Sequence, residues 1–442
     1  SASDAMRMLE GFGLNVCVGP EVLASRDHQV ALLTIVNAAR RTFLGGVRIV
    51  GALDAPLHVP IVTASDLSDA VRKLGGIPAS ETNGEWPTAL IGTVASALSA
   101  APIWQVTWDI WRGGVVPARH CVRLPEKGCG GVAPALAAGI CTGEAFAYHA
   151  ADHILAGKRS AGISLWRPTE DWLLPIAEGP VIKYLPSDLW LIGLGNLGQA
   201  YLWLLGCLDY DNPSDLKLLL QDTDRLALSN DSTSLLTQAD LLKQLKTRAL
   251  AGWCEMRGFG CALEERLFGP WSKHGPFDPP VALCGVDNAL ARASLESAGF
   301  GLVVETGLGT GPQSFRNLSL HTFPSTLSAT KLWTTAPTAD AASVLSNPAY
   351  APEANAHLDQ CGLAQLASRT VGVPFVGLIS GCFAIGELLR RLHGGDALEL
   401  LSLSTVSLAD VDNSTMAGAY DFGFAKAALR YPVESVVSLS SM

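Results

Sequence analysis

No CxxC pair occurs anywhere in this chain, which excludes a structural zinc site of the usual cysteine spacing. The 10 cysteines are scattered along 442 residues without paired spacing, so they do not resemble a disulfide framework, and a reducing cytoplasm is the expected compartment. Basic charge is scarce. With 31 Lys and Arg against 41 Asp and Glu, the net charge of -10 argues against a nucleic-acid partner and suits a protein partner with a basic surface. The N-terminal stretch SASDAMRMLEGFGLNV lacks a basic region leading into a long apolar run, so no secretory signal is expected. The longest uncharged apolar stretches, around 371–386 and 88–107, are interrupted by Gly, Ser or Pro. A membrane-spanning helix needs roughly 20 predominantly apolar residues, so these stretches read as core and no membrane partner is expected.

What is present is apolar and long. Hydrophobic residues make up 48% of the chain and charged ones 16%, enough to bury large cores in two or three domains. One stretch, 189–246, carries the most specific pattern. It begins LWLIGLGNLGQ, an apolar strand running into Gly193, Gly195 and Gly198. This is the G-x-G-x-x-G of a strand-to-helix turn. The first glycine allows the tight turn, the second lets backbone approach phosphate, the third lets helix pack on strand, and phosphate sits on the helix N-terminus. A second strand, LKLLLQDTD, ends in Asp222 and Asp224, where a ribose-binding acid is expected, roughly 20 residues past the glycines. Ser229-Asn230 and Gln244-Leu245-Lys246 follow, and then PVALCGVDNALARASL, a strand ending in Asp287-Asn288 ahead of a helix.

That series resembles the ThiF, MoeB and ubiquitin-activating family of adenylating enzymes. The passage CGLAQLASRTVGVPFVGLISGCFAIGELLRRLHG is similar to the family's cysteine-to-Gly-rich-helix segment. The resemblance implies that Gly193, Gly195, Gly198, Asp222 and Asp224 hold ATP, Asp222 binding the ribose. It implies further that Asn230 and Lys246 contact phosphates and that Asp287 holds magnesium. The alternative for Lys246 is a solvated helix lysine, and for Asp287 a helix N-cap. One departure stands out: the family's Arg and Gln after the Ser-Asn pair are Thr233 and Ser234 here. The missing phosphate cation is then expected from Arg225, Arg248 or Arg292, or from an Arg of the other half of the molecule.

The first half reads as a degenerate copy of the second. PTALIGTVASALSAAPIWQVTWDIWRGGVV matches PVALCGVDNALARASLESAGFGLVVETGLG in order and character, with Val94-Ala95 in place of Asp287-Asn288. GVAPALAAGICTGEAF likewise echoes VGLISGCFAIGELL, aligning Glu144 with Glu387 across a one-residue gap. At its start, Gly19-Pro20 stands where three glycines are needed, and proline cannot donate a backbone N–H to phosphate. The expected fold is α/β, with two Rossmann-like adenylation-type domains in one chain forming a pseudo-dimer: an inactive domain at 1–150, a linker at 151–187 and an active domain at 188–442. Further dimerisation is left open. Within the active domain, 312–371 is rich in Ala, Pro, Ser and Thr and reads as a mobile insertion bearing Cys361.

Taken together, the resemblance implies ATP-dependent adenylation of the C-terminal carboxylate of a ubiquitin-like protein ending in Gly. Thioester transfer to Cys361 and hand-over to a conjugating enzyme would follow, with ATP and Mg2+ as cofactors. The chain looks like the activating component of bacterial ubiquitin-like conjugation operons, some of which act against phage. Adenylation for sulfur transfer to a carrier, or for peptide modification, is the alternative in the same fold. A NAD-dependent oxidoreductase is permitted by the glycines alone, and a non-catalytic scaffold is suggested by Thr233.

Overall fold

The computed structural model describes residues 7–95, 100–127, 130–309, 314–334, 373–416 and 427–430. Two large sheets dominate. Strands β1 (Gly13–Val18), β2 (Gly46–Val50), β3 (Gly76–Ala79), β4 (Thr88–Ile91), β5 (Ile103–Asp109), β6 (Arg112–Pro117) and β7 (Ala161–Ser164) lie in the order β3-β2-β1-β4-β5-β6-β7. After β8 (Tyr184–Pro186), the second sheet is built from β9 (Asp188–Ile192), β10 (Lys217–Gln221), β11 (Gly260–Glu264), β12 (Val281–Cys284), β13 (Leu302–Leu308), β14 (Asn317–Phe323), β15 (Leu398–Ser404) and β16 (Ser407–Thr415). Its order is β11-β10-β9-β12-β13-β14-β15-β16. The last strand among the described residues, β17 (Ala427–Leu429), pairs antiparallel with β8.

The second sheet repeats the first rank for rank and adds β16, antiparallel to β15, at its edge. In each, five strands run parallel and the next two antiparallel, so that β1, β2, β3, β4 and β5 correspond to β9, β10, β11, β12 and β13. The central strands β4 and β12 are buried throughout, as parallel strands covered on both faces must be. The chain is thus a mixed α/β fold of two Rossmann-like units, the repeat its sequence suggested. Within 151–187, expected as linker, Ala161–Ser164 adds an antiparallel strand beside β6. Four residues of AGIS are too short a run for their periodicity to be read among the surrounding Gly, Pro and charge.

The described helices are α1 (Arg26–Thr42), α2 (Leu67–Lys73), α3 (Val132–Ala150), α4 (Asn196–Cys207), α5 (Leu228–Asp231), α6 (Lys246–Glu255), α7 (Ala289–Ala293), α8 (Ala329–Thr334) and α9 (Pro374–Leu392), and α1, α3, α4 and α9 join the two units. Helices α3 and α9 are each 19 residues long, apolar almost all round and buried almost throughout. A helix of that pattern must be covered on every side. They pack on each other, α3 also lying on α1 and α9 on α4, which puts four helices between the sheets. Phe146 and Phe375 meet there with ring centroids 5.5 Å apart. The one carboxylate in α3, Glu144, is neutralised by Arg159, and Glu387 of α9 by Arg390 and Arg391. Polar bonds across the units include Trp203 Nε1 to Thr34 Oγ1 at 3.0 Å, and Arg26 Nη1 to the Cys207 carbonyl at 2.8 Å. No described helix is long and apolar enough to cross a membrane.

Candidate nucleotide site

A cleft of about 800 Å³ opens at the C-terminal ends of β9, β10 and β12, where doubly wound sheets bind ligands. Its floor is the glycine turn. Gly193 has φ +86, and a Cβ there would lie 2.7 Å from Val286 Cγ1. A Cβ on Gly198 would lie 2.1 Å from the Gly193 carbonyl, so helix α4 rests directly on the turn. At Gly195 a Cβ would meet nothing within 4 Å, because this glycine faces the open cleft. Asp222 fixes the turn from the side: its Oδ2 accepts from Leu194 N–H at 2.7 Å and its Oδ1 from Asp224 N–H at 2.8 Å. With both oxygens taken by backbone, Asp222 is turned inward. Asp224, whose side chain is 69% exposed, is the carboxylate presented to the cleft.

Lys246 is not a solvated helix lysine. Its residue is 7% exposed, and Nζ lies 2.9 Å from Asp224 Oδ2 and 3.6 Å from Asp222 Oδ2. One ammonium is therefore shared by two carboxylates at the cleft wall. Opposite, the N-cap of α7 is Asn288, whose Oδ1 accepts from Leu290 and Ala291 N–H at 2.9 and 3.2 Å. That leaves Asp287, exposed on the cleft lining, without a hydrogen bond or ion pair among the described residues.

Asn230 lines the cleft, but its Oδ1 accepts from Ala227 N–H at 2.9 Å, so its first task is to close the turn of α5. Thr233 Oγ1 donates to the Ser229 carbonyl at 3.0 Å. Of the arginines expected to replace the missing one, Arg225 and Arg292 line the cleft, and Arg248 is engaged by Glu265 at 2.9 Å. Arg292 is held firmly: Nε donates to the Val286 carbonyl at 2.7 Å, Glu305 lies 3.3 Å away, and the guanidinium stacks 4.4 Å over Trp333. Arg266, Leu267 and Phe268, in the loop after β11, complete one wall. Those three were not foreseen, because nothing in an irregular segment's sequence signals which wall it faces. From the other half, Arg40 and Arg41 reach the α5 segment at Asp231 and not the cleft itself. Cys361 lies outside the described residues.

The equivalent turn of the first unit is closed. A Cβ on Gly19 would lie 2.6 Å from both Thr93 N and O, and Glu21 occupies the space instead. Its carboxylate accepts from Thr93 N–H at 2.8 Å and from the Thr93 hydroxyl, and pairs with Arg123 at 3.3 Å. Burial alone would raise the Glu21 pKa, but these bonds overcome it and hold the group ionised down to about 2. A fixed internal anion thus sits where a phosphate would go.

Sequence comparison gives this site its relatives. The BilD C-terminal domain profile matches residues 185–395 and the BilD N-terminal domain profile residues 13–165. The bacterial E1-like protein BilD of Collimonas sp. (strain OK412) is 50% identical over 424 residues, covering 96% of this chain and 92% of that protein. Among solved structures, E. coli MccB with MccA-N7isoASN aligns over 53% of this chain and 65% of its own length, at 8% identity and a TM-score of 0.36. This chain thus spans less than two thirds of MccB. Selenomethionine PaaA aligns over 52% of this chain and 72% of its own length, at 15% identity and a TM-score of 0.31. With both profiles matched in order and 96% of its length aligned at 50% identity to the Collimonas protein, the chain belongs to the BilD family.

Proposed function

We propose that this chain adenylates the C-terminal carboxylate of a ubiquitin-like protein, using ATP in the cleft of the second unit. The observation that carries the reading is the pairing of an open glycine turn with a free carboxylate, Asp287, across from Lys246. A dehydrogenase needs neither the lysine nor this acid. The relative's name, E1-like, supports the same class. In the reaction, a carboxylate oxygen of the carrier attacks the α-phosphorus and the bond to the bridging oxygen breaks, releasing pyrophosphate. The Gly193–Gly198 turn cradles phosphate with backbone N–H groups, Asp224 faces the ribose, and Lys246, Arg225 and Arg292 spread the developing charge. Asp287 is an all-oxygen donor with no competing partner among the described residues, which fits magnesium; Asp287 would hold the ion, whose charge would offset that of the triphosphate. A cytoplasmic setting, where ATP is plentiful, follows from this reading.

Calorimetry tests the assignment of the two units. One ATP per chain is expected, and Glu21→Gln should leave that affinity unchanged because its unit has no room for phosphate. Two ATP per chain would show that the first unit is a working site. Pyrophosphate exchange that depends on an added carrier is the accompanying activity assay.

A further inference from the structure

The segment 228–237 carries three residues of the cleft lining, Ser229, Asn230 and Thr233, and is anchored at its far end by Leu235 and Leu236, which are buried in the core. Its only helix, α5, is four residues long, far below the length at which a helix persists unaided. Its own unit grips it at two side chains: Asn196 Nδ2 donates to the Thr233 carbonyl at 2.7 Å, and Gln199 Oε1 accepts from Leu236 N–H at 2.9 Å and Thr237 Oγ1 at 3.1 Å. Helix α1 of the first unit adds a set of polar contacts. Asn37 Nδ2 donates to the Leu235 carbonyl at 2.9 Å, and Arg40 forks onto the Asp231 carboxylate at 3.0 and 3.3 Å. Arg41 donates to the Asp231 carbonyl, to Asp231 Oδ1 at 3.3 Å, and to the Leu235 and Thr237 carbonyls at 3.2 and 2.8 Å. Its Nε is satisfied by Asn37 Oδ1 at 3.0 Å.

The Arg41 side chain is 2% exposed, so this is a buried guanidinium satisfied almost entirely by one loop of the other unit. Burial and the neighbouring Arg40 bring its pKa down to about 9, and Asp231 offsets them. Such a contact is costly to build.

We infer that Arg41, with Asn37 and Arg40, is a positioning group donated by the inactive unit: it fixes residues 229–237 so that Ser229, Asn230 and Thr233 face the nucleotide. This rests on the proposal that the cleft binds ATP, and it gives the inactive unit a part in the reaction. The departure at 233 then has a structural counterpart. The chain lacks an arginine within the loop and holds that loop by arginines from outside it.

The test uses Arg41→Ala, Arg41→Lys, Arg40→Ala and Asp231→Asn in the full chain, well below each variant's melting temperature. ATP affinity by calorimetry should fall by about 10- to 100-fold in the Arg41 variants and less in the others, since charged hydrogen bonds of this kind are lost. Lysine should not rescue, because one ammonium cannot serve acceptors spread from 231 to 237. The exchange rate at saturating ATP should change little, and backbone hydrogen exchange over 229–237 should accelerate without nucleotide. Should Arg41→Ala fail to fold, Arg40→Ala and Asp231→Asn carry the same comparison. Wild-type ATP affinity in every folded variant overturns the inference and leaves the adenylation proposal standing. A wild-type protein that binds no ATP overturns both.

Discussion

Asp287→Ala is expected to lower carrier-stimulated ATP–pyrophosphate exchange by roughly 10²–10³-fold, the usual cost of removing one electrostatic contact with the transition state. The melting temperature should not move. Asp287 is exposed and makes no bond to the described residues, and the helix it precedes is capped by Asn288, so its truncation takes nothing from the fold. Lys246→Ala should cost the same order in rate but also lower stability, because Asp222 and Asp224 would be left facing each other without their shared cation. The pair therefore separates site from scaffold: one variant loses activity alone, the other activity and stability. Unchanged exchange in Asp287→Ala would take that residue out of the site. A chemically silent site in wild type, with carrier and ATP present, would favour a scaffold.

The parts of this arrangement legible in the sequence are those written in local pattern. The turn at Gly193, Gly195 and Gly198 announces itself because its geometry restricts which residues can stand there, and the buried parallel strands because they are apolar without interruption. The repeat was legible for the same reason, since both copies must cover the same sheet topology. What stayed hidden depends on distance in the chain. Nothing near residue 231 indicates that Arg40 and Arg41, some 190 positions away, end on it. Which of two neighbouring acids turns inward, Asp222 or Asp224, is likewise decided by one backbone N–H, that of Leu194. The choice between Asp287 and Asn288 as helix cap could not be read from a dipeptide in which both residue types cap well.

The step after adenylation would require a thiol, and the structure narrows the candidates. Cys141, Cys207, Cys254, Cys284 and Cys382 are buried. Burial pushes Cys141 and Cys382 up and raises Cys207 and Cys284 to about 12, while a hydrogen bond with Cys261 together with burial raises Cys254. None of these five can supply a thiolate near neutral pH. Cys17 is partly buried and raised as well. Cys121 is exposed but belongs to the unit whose phosphate turn is filled by Glu21. Cys261 is half-buried on β11, and Cys129 and Cys361 lie outside the described residues. We propose Cys361, in the Ala- and Pro-rich segment of the second unit, as the acceptor. Its sulfur would attack the acyl-adenylate carbonyl, form the C–S bond, release AMP and give up its proton to solvent. Cys361→Ala should retain carrier-dependent pyrophosphate exchange yet lose completely a reductant-sensitive adduct between this chain and the carrier on a non-reducing gel, and Cys121→Ala should retain both. An adduct that survives Cys361→Ala and vanishes in Cys121→Ala would move the thioester to the first unit; a wild type that exchanges pyrophosphate but forms no adduct would hand its adenylate directly to an acceptor.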